Sequence, residues 1–239
     1  MKRSNIIRLP VYAQIKEAIL QKLSSREWKF DQPLPSESKM ADEFGVSIGS
    51  VRHAVADLED AGILVKRQGI GTFVRSYKGT GVWNRFQKFI RKDGRLPVFE
   101  SKPIKFEIIP TPEEVAAKMK IVPGDPVIHI LRAMSDNGVH TGVDESFLDL
   151  DTFCDLKIED LEAVKGNLYK LYEEKLGIYI ADVTDLLEFL IVDEALNKLT
   201  LLPLGSPMFV VTRQGRLLNK KTVELRYEHC TAVNYLLRI

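Results

Sequence analysis

Between Leu34 and Phe73 the chain is punctuated so closely by caps and glycines that short helices and a tight hairpin are the elements that fit. Met40, Ala41 and Phe44 fall at helical spacing behind Ser36, an N-cap residue, and Gly45 supplies the left-handed position that ends a helix. Ser47 caps a second helix, Val51, Ala54, Val55 and Leu58 form its apolar stripe, and Gly62 stops it. Ile63 to Lys66 then predict a strand, Gln68 to Gly71 a turn, and Thr72 to Arg75 a returning strand. The pattern is a helix-turn-helix followed by a wing. Upstream, Pro10 suits a first helical turn, and Val11, Ile15, Ala18, Ile19 and Leu23 give one apolar face. Trp28 and Phe30, in the connection from Ser24 to Pro33, are expected against this small core.

These residue types suit a DNA-reading surface. A recognition helix enters the major groove by its N-terminal end, so Ser47 and Ser50 approach phosphates while Arg52 reaches along the groove. Gly69 lets the wing tip turn, with Arg67 and Gln68 as donors. The run Pro10, Tyr12, Ile15, Leu34-Pro35-Ser36-Glu37, Phe44-Gly45-Val46-Ser47, Ser50-Val51-Arg52, Leu58, Gly62 and Arg67 to Val74 resembles the winged-helix domain of GntR-family bacterial transcription regulators. The resemblance implies DNA contacts at Ser36, Ser38, Lys39, Ser47, Gly49, Ser50, Arg52, His53, Arg67, Gln68 and Gly69. The chain departs from the family at Ser38 and Ile48, where arginine is usual, and at Gly49, where threonine is usual. Lys39 and His53 are candidate substitutes, with solvated surface positions as the plainer reading.

A chain of 239 residues holds two domains, each able to bury a core. Residues 1–78 carry 13 Lys or Arg against 9 Asp or Glu, and the remainder 21 against 24, so a net charge of +1 conceals a basic N-terminal part suited to a polyanion. The expected division is a DNA-binding domain over 1–75, a linker over 76–82 and a second domain over 83–239. No apolar run approaches the roughly 18 residues of a membrane span, and Met1 to Asn5 lacks a signal peptide's apolar core, so a cytoplasmic protein without membrane partners is expected. Cys154 and Cys230 lack metal-ligand spacing and read as buried thiols.

The second part contains an internal repeat. Glu113-Glu114-x3-Lys118-x4-Pro123-Gly124 is echoed 80 residues later by Asp193-Glu194-x3-Lys198-x4-Pro203, with one residue inserted before Gly205, and both copies run on to Arg132 and Arg213. Each unit reads as strand, helix, Pro/Gly turn, strand, hairpin, strand. Ile104, Phe106 and Ile108 alternate, a helix opens at Thr111 to Glu114, and Asn137-Gly138 is a hairpin turn. A helix over Val82 to Lys92, with Phe86, Phe89 and Ile90 inward, is expected before the first copy, and another from Asn167 to Leu176, closed by Gly177, between the copies. Two such units imply one antiparallel sheet with a pseudo-two-fold and a ligand cleft between the halves. The fold class is α+β.

From about Trp83 onward this layout resembles the UTRA domain, the chorismate-lyase-like effector domain of the HutC subfamily of GntR regulators. The resemblance implies a homodimer on an inverted-repeat operator, acting chiefly as a repressor, whose DNA binding changes with a small metabolite, a sugar phosphate or another anion. By the same resemblance, amides at a helix start (Arg85, Phe86, Gln87, then Lys88), Arg132, and Asn167-Leu168-Tyr169 hold the anion, and Asp144 and Glu224 hold hydroxyls or an amine. Met134 stands where relatives carry a second arginine, for which Arg85 and Lys88 are substitutes. The plainer reading is that Arg132 pairs with a carboxylate on a neighbouring strand and that Tyr169 is core.

An enzyme is the second class and a ligand-independent DNA-binding protein the third. Against an enzyme, no nucleophile-base spacing, metal cluster or phosphate loop is seen, so no cofactor is expected and no catalytic residue is assigned. His53, His129, His140 and His229 are scattered.

Overall fold

Capping decides where the first helices start. The computed structural model describes residues 9–25, 27–28, 32–76, 86–164 and 166–238, in two units, Met1–Ser76 and Tyr77–Ile239. In the first unit, α1 (Val11–Ser24) follows Pro10 and buries Ile15, Ile19 and Leu23. Helix α2 (Glu37–Phe44) begins where the Lys39 amide donates to Ser36 Oγ at 3.3 Å and ends at Gly45, φ 65°. Helix α3 (Ile48–Asp60) begins where the Ser50 amide donates to Ser47 Oγ at 3.1 Å, and it buries Val51, Ala54, Val55 and Leu58 toward α1 and α2. Strands β1 (Leu64–Arg67) and β2 (Gly71–Val74) form the wing, with Arg67 opposite Gly71. Val11, expected inward, is exposed, and from that first turn it is Tyr12 that packs on α3. Trp28 is half-buried and tilted against Phe44, while Phe30 lies outside the described residues.

The second unit opens differently from expectation. Instead of a helix over Val82 to Lys92, Phe89–Arg91 form strand β3, paired with the C-terminal strand β10 (Tyr235–Leu237). Residues 82–85 and all of the expected linker except Ser76 lie outside the described residues. The apolar spacing of Phe86, Phe89 and Ile90 fits a helix, but Phe89 is buried among Phe99, Phe209 and Tyr235, and that packing selects the extended form.

Six strands then make one antiparallel sheet: β4 (Phe99–Pro110), β5 (Pro126–Asp136), β6 (Val139–Asp149), β7 (Asp182–Ile191), β8 (Pro207–Arg216) and β9 (Thr222–Thr231). Their order, β4-β5-β6-β9-β8-β7, is a palindrome of the two units about the β6–β9 pair. The repeat is offset by a constant 81 residues, as Pro110 and Ile191, Glu113 and Glu194, Pro126 and Pro207, and Arg132 and Arg213 show, so the structure needs no inserted residue and Glu194, not Asp193, is the partner of Glu113. Even backbone conformation repeats: α4 (Glu113–Met119) ends on Lys120 at φ 59° and α8 (Glu194–Thr200) on Leu201 at φ 58°. Asn137 and Gly138, φ 53° and 77°, turn β5 into β6. At the centre, Gly142 (φ 139°) lies so close to β9 that a Cβ would stand 1.9 Å from the His229 carbonyl oxygen.

The sheet has two dissimilar faces. Under α4 and α8 it is apolar, with Val115, Met119, Val127, Phe147 and Leu225 in one cluster and Val192, Leu202, Met208 and Val210 in another. The opposite face is covered by β3 and β10 at one end and by short helices at the other: α5 (Leu150–Phe153), α6 (Ile158–Ala163), and α7 (Leu168–Leu171) running into a π turn, Tyr172–Leu176. That last pair occupies the span expected as a single helix, with Asn167 as N-cap and Gly177 (φ 65°) as its end. Cys230 is buried as expected, but Cys154 is exposed, at the end of α5. Among the described residues no helix is long and apolar enough to cross a membrane.

Candidate nucleic-acid interface and charged cavity

In the first unit the candidate contact residues are presented outward. Ser36, Ser38, Lys39, Ser47, Gly49, Arg52, His53, Arg67, Gln68 and Gly69 are all exposed, and Ser50 is half-buried. Arg52 and Lys66 converge on Glu37: Arg52 Nε donates to Glu37 Oε2 at 3.0 Å, and Lys66 Nζ lies 3.3 Å from Oε1 and 3.3 Å from Glu59. Burial raises the Glu37 pKa, but the hydrogen bonds from Arg52 and Lys66 outweigh it and hold the carboxyl below its ordinary range. The Arg52 side chain is nonetheless two-thirds solvent-exposed, so this pair is a weak tether that polyanion contact can exchange. Arg67 lies over the Phe73 ring at 4.5 Å, which aims the guanidinium along the wing, and Gly69 turns the tip at φ 73°. His53 is stacked on Tyr12 at 4.1 Å and stands 3.6 Å from Asp57, so it is engaged within the unit. Of the two departures in α3, Ile48 is exposed, and Gly49 is not imposed by the fold, since a Cβ there would meet only Ser47 Oγ at 3.8 Å.

The second unit hides its charges. On the face opposite α4 and α8, the inward positions of β5, β6, β9, β8 and β7 carry Arg132, Asp144, Arg226 with Glu224 and Glu228, Arg213, and Asp185. Arg132, among the most buried side chains, donates from Nε to Asp144 Oδ1 at 3.0 Å, from Nη2 to Oδ2, and from Nη1 to the Gly166 carbonyl at 3.3 Å. Arg213 grips Asp185 through Nε at 2.7 Å and Nη2 at 2.9 Å, and Nη2 also donates to the Phe86 carbonyl. Arg226 Nη2 donates to Glu224, whose carboxylate also accepts from Tyr169 at 2.7 Å and Tyr172 at 3.1 Å. Burial, then the Glu224 charge, pushes both phenols well above their ordinary range, so they stay protonated as donors. Burial works against the charge on Arg213 and Arg226, but Glu228 and Asp185 around the first and Glu224 beside the second outweigh it. Gly166 (φ 131°) is fixed by contact: a Cβ would lie 2.6 Å from the Phe99 carbonyl oxygen.

A cavity of about 310 Å³ lies against this band. Phe86, Phe99, Leu96, Val98 and Met134 supply apolar wall, while Arg132, Asp144, Arg213, Arg226 and Glu228 supply the polar floor. Of the residues expected at a ligand, Phe86, Gln87, Arg132, Asp144, Asn167 and Tyr169 line it. Glu224 sits behind it under Tyr169 and Tyr172, and Arg85 falls outside the described residues. Phe86 and Gln87 contribute from an irregular segment rather than the expected helix start, and Asn167 is the N-cap of α7, its Oδ1 accepting the Lys170 amide at 3.2 Å. Arg213, Arg226 and Glu228 were missed from sequence. The signals were there: Arg213 is the repeat partner of Arg132, and Glu224-x-Arg226-x-Glu228 puts three charges on one face of a central strand. Arg226 Nε is buried without a hydrogen-bond partner. Among the described residues no group of three or more His, Cys, Asp or Glu could hold a metal.

Comparison with known proteins matches both units. Residues 11–74 fit the family described as bacterial regulatory proteins, gntR family, and residues 98–235 the UTRA domain. The chain is similar to the mannosyl-D-glycerate transport/metabolism system repressor MngR of Escherichia coli (strain K12), 27% identical over 216 residues, 90% of this chain and 89% of that one. It is 40% identical over 70 residues to the histidine utilization repressor of Klebsiella aerogenes, 29% of each chain. The ligand-binding domain of a GntR-family regulator from Bordetella bronchiseptica shares the fold, with a TM-score of 0.60 at 24% identity, covering 65% of this chain and 96% of that one.

Proposed function

Because this chain belongs to the gntR family of bacterial regulatory proteins and carries the UTRA domain of its HutC-like members, we propose that it is a homodimeric repressor of an inverted-repeat operator, released by a small metabolite bound in the cavity of the second unit. DNA binding and an effector domain come with the family. The dimer, the operator symmetry and the metabolite are the proposal, as is the assignment of residues 76–82 as the linker between the two domains. One recognition helix per chain suits a two-fold partner on a two-fold site. The relatives are repressors by name, not enzymes.

What supports the effector reading is a cavity of about 310 Å³ whose floor holds Arg132, Arg213 and Arg226, a size that takes a monosaccharide-scale molecule. The charge pattern narrows the ligand. Asp144 already fills the fork of Arg132, and Asp185 that of Arg213, so a doubly charged phosphate would have to displace a buried carboxylate. A neutral sugar or a sugar acid with one anionic group fits better. The test compares a sugar, the matching sugar acid and the matching sugar phosphate for release of operator, in wild type and Arg226→Lys. The sugar or sugar acid should weaken operator binding at least about tenfold, a coupling near 1.4 kcal/mol, and Arg226→Lys should need more ligand. Release by the phosphate alone, or an unaltered response in Arg226→Lys, overturns this assignment.

A further inference from the structure

Among the described residues of the winged unit two isoleucines are exposed, Ile48 at 45% and Ile70 at 67%. Ile48 is the first residue of α3, directly after the Ser47 cap. The stripe that packs α3 on the unit starts three residues later, at Val51, and runs through Ala54, Val55 and Leu58 without it. Gly49 follows Ile48, and nothing in the fold requires a glycine there, since a Cβ would meet only Ser47 Oγ at 3.8 Å. Both residues are poorer helix formers than alanine, glycine markedly so. A first turn built on Ile48-Gly49 weakens the helix without filling the core, so its use lies outside the fold.

The polar groups around this turn leave it apolar. Ser47 and Ser50 turn their hydroxyls on each other at 2.9 Å, and the Ser50 amide donates to Ser47 Oγ at 3.1 Å. Arg52, at i+4 and so on the same side of the helix as Ile48, is drawn toward Glu37 at 3.0 Å. The first turn of α3 therefore presents a branched hydrocarbon beside a position with no side chain.

We infer that Ile48 reads a thymine through its 5-methyl group. The inference rests on the DNA-binding role of the winged unit and needs neither the dimer nor the metabolite. The N-terminal residues of a recognition helix meet base edges in the major groove, where thymine displays its methyl group. Isoleucine has no donor for guanine N7 or O6 and no acceptor for the cytosine amino group, so against either it strips water from a polar edge and replaces none of the lost hydrogen bonds. Against thymine it buries hydrocarbon on hydrocarbon. Gly49 lets the backbone of the first turn approach the bases closely enough for so short a side chain to reach them. Ile70 is no rival for this role: it sits at the wing tip, and a wing meets the backbone or the minor groove, where thymine shows no methyl.

Binding of the full chain to defined duplexes tests this. A site is selected from a random duplex library, and each of its thymines is then replaced singly by uracil, which removes the methyl and keeps every hydrogen bond of the base pair. At one thymine for each bound chain, uracil should weaken wild type about fourfold, the worth of one buried methyl, and should leave Ile48→Ala unchanged. A second pair isolates the same methyl: at that position 5-methylcytosine should bind wild type about fourfold more tightly than cytosine, and Ile48→Ala should not tell them apart. Ile70→Ala should keep both effects. Wild type indifferent to uracil at every thymine, or a methyl effect that persists in Ile48→Ala or disappears in Ile70→Ala, overturns the inference. A library from which wild type enriches no sequence overturns the reading of α3 as a recognition helix, and the inference with it.

Discussion

The winged unit and the sheet unit both depend on arginines, but they use them in opposite ways. Arg52 of α3 stands in solvent, tethered at one point to Glu37, whereas Arg132, Arg213 and Arg226 are buried with carboxylates in their forks. An exposed cation is free for any phosphate and costs the fold little to keep. A buried one is committed to its partners, so anything that changes one member disturbs the whole band. Reading DNA therefore needs only local structure that aims side chains outward. Sensing a small molecule needs a charge network that is nearly, but not fully, satisfied.

The sharpest way to test this difference is to remove one carboxylate from each unit. Glu224 is wholly buried and accepts from Arg226, Tyr169 and Tyr172. Glu224→Ala strands a guanidinium and two phenols and should cost about 3–5 kcal/mol in urea unfolding of the second unit. Glu37→Ala removes a carboxylate that also has two cationic partners, yet it should cost no more than about 1 kcal/mol, because those partners return to water. Equal losses would mean that burial does not separate the two regions.

The next effect is on binding rather than folding. Arg52→Ala should weaken operator binding by about 1–3 kcal/mol and relax preference at one position per half-site, while leaving stability within about 0.5 kcal/mol. Arg67→Ala should weaken all duplexes alike and flatten the salt dependence by about one unit of slope. Titrating specific and random duplexes at several salt concentrations separates the two. No change in either variant would mean that the outward cations of this unit are not its DNA surface.

The same contrast explains what the sequence made legible. In the winged unit each element is set by its neighbours in the chain: Ser36 and Ser47 cap, Gly45 terminates, Gly69 turns, and the structure follows residue by residue. In the sheet unit the repeat and Asn137-Gly138 foretold one antiparallel sheet of two related halves. What failed there was decided at long range. Phe89 is extended because Tyr235, near the other end of the chain, pairs beside it, and no local pattern carries that. The charged floor was half visible, because Arg132 was marked while Arg213 and Arg226 become neighbours only when β8 lies beside β9. The exposed apolar edge of β7 looked like an ordinary strand, since a run such as Leu186 to Ile191 reads the same whether it is covered or not.

The smallest effect concerns pH, and it tests whether ionisable groups under α4 follow the logic of the cavity side. His129 of β5 is buried, stacked on Phe147 at 4.8 Å, and held between Glu145 at 2.7 Å and Glu107 at 3.0 Å. The hydrogen bond to Glu145 raises its pKa above 6.5, burial opposes the rise, and Glu107 adds to it. A raised folded value means that protonated His129 stabilises the fold fully below its ordinary pKa, and that this stability is lost as pH rises through the raised one. Nearby His229 acts in the other direction: burial lowers its pKa, so its contribution is lost only on the acid side, as pH falls below 6.5. The window above 6.5 therefore belongs to His129. Thermal unfolding of wild type and His129→Gln between about pH 6 and pH 9 should show wild type losing its advantage as pH rises, and the two curves drawing together at the top of the range. A gap that stays constant would mean that His129 contributes by packing on Phe147 alone and is neutral in the folded protein. His129 lies in the second unit, so a mutant that removes this dependence should leave operator binding at fixed pH unchanged.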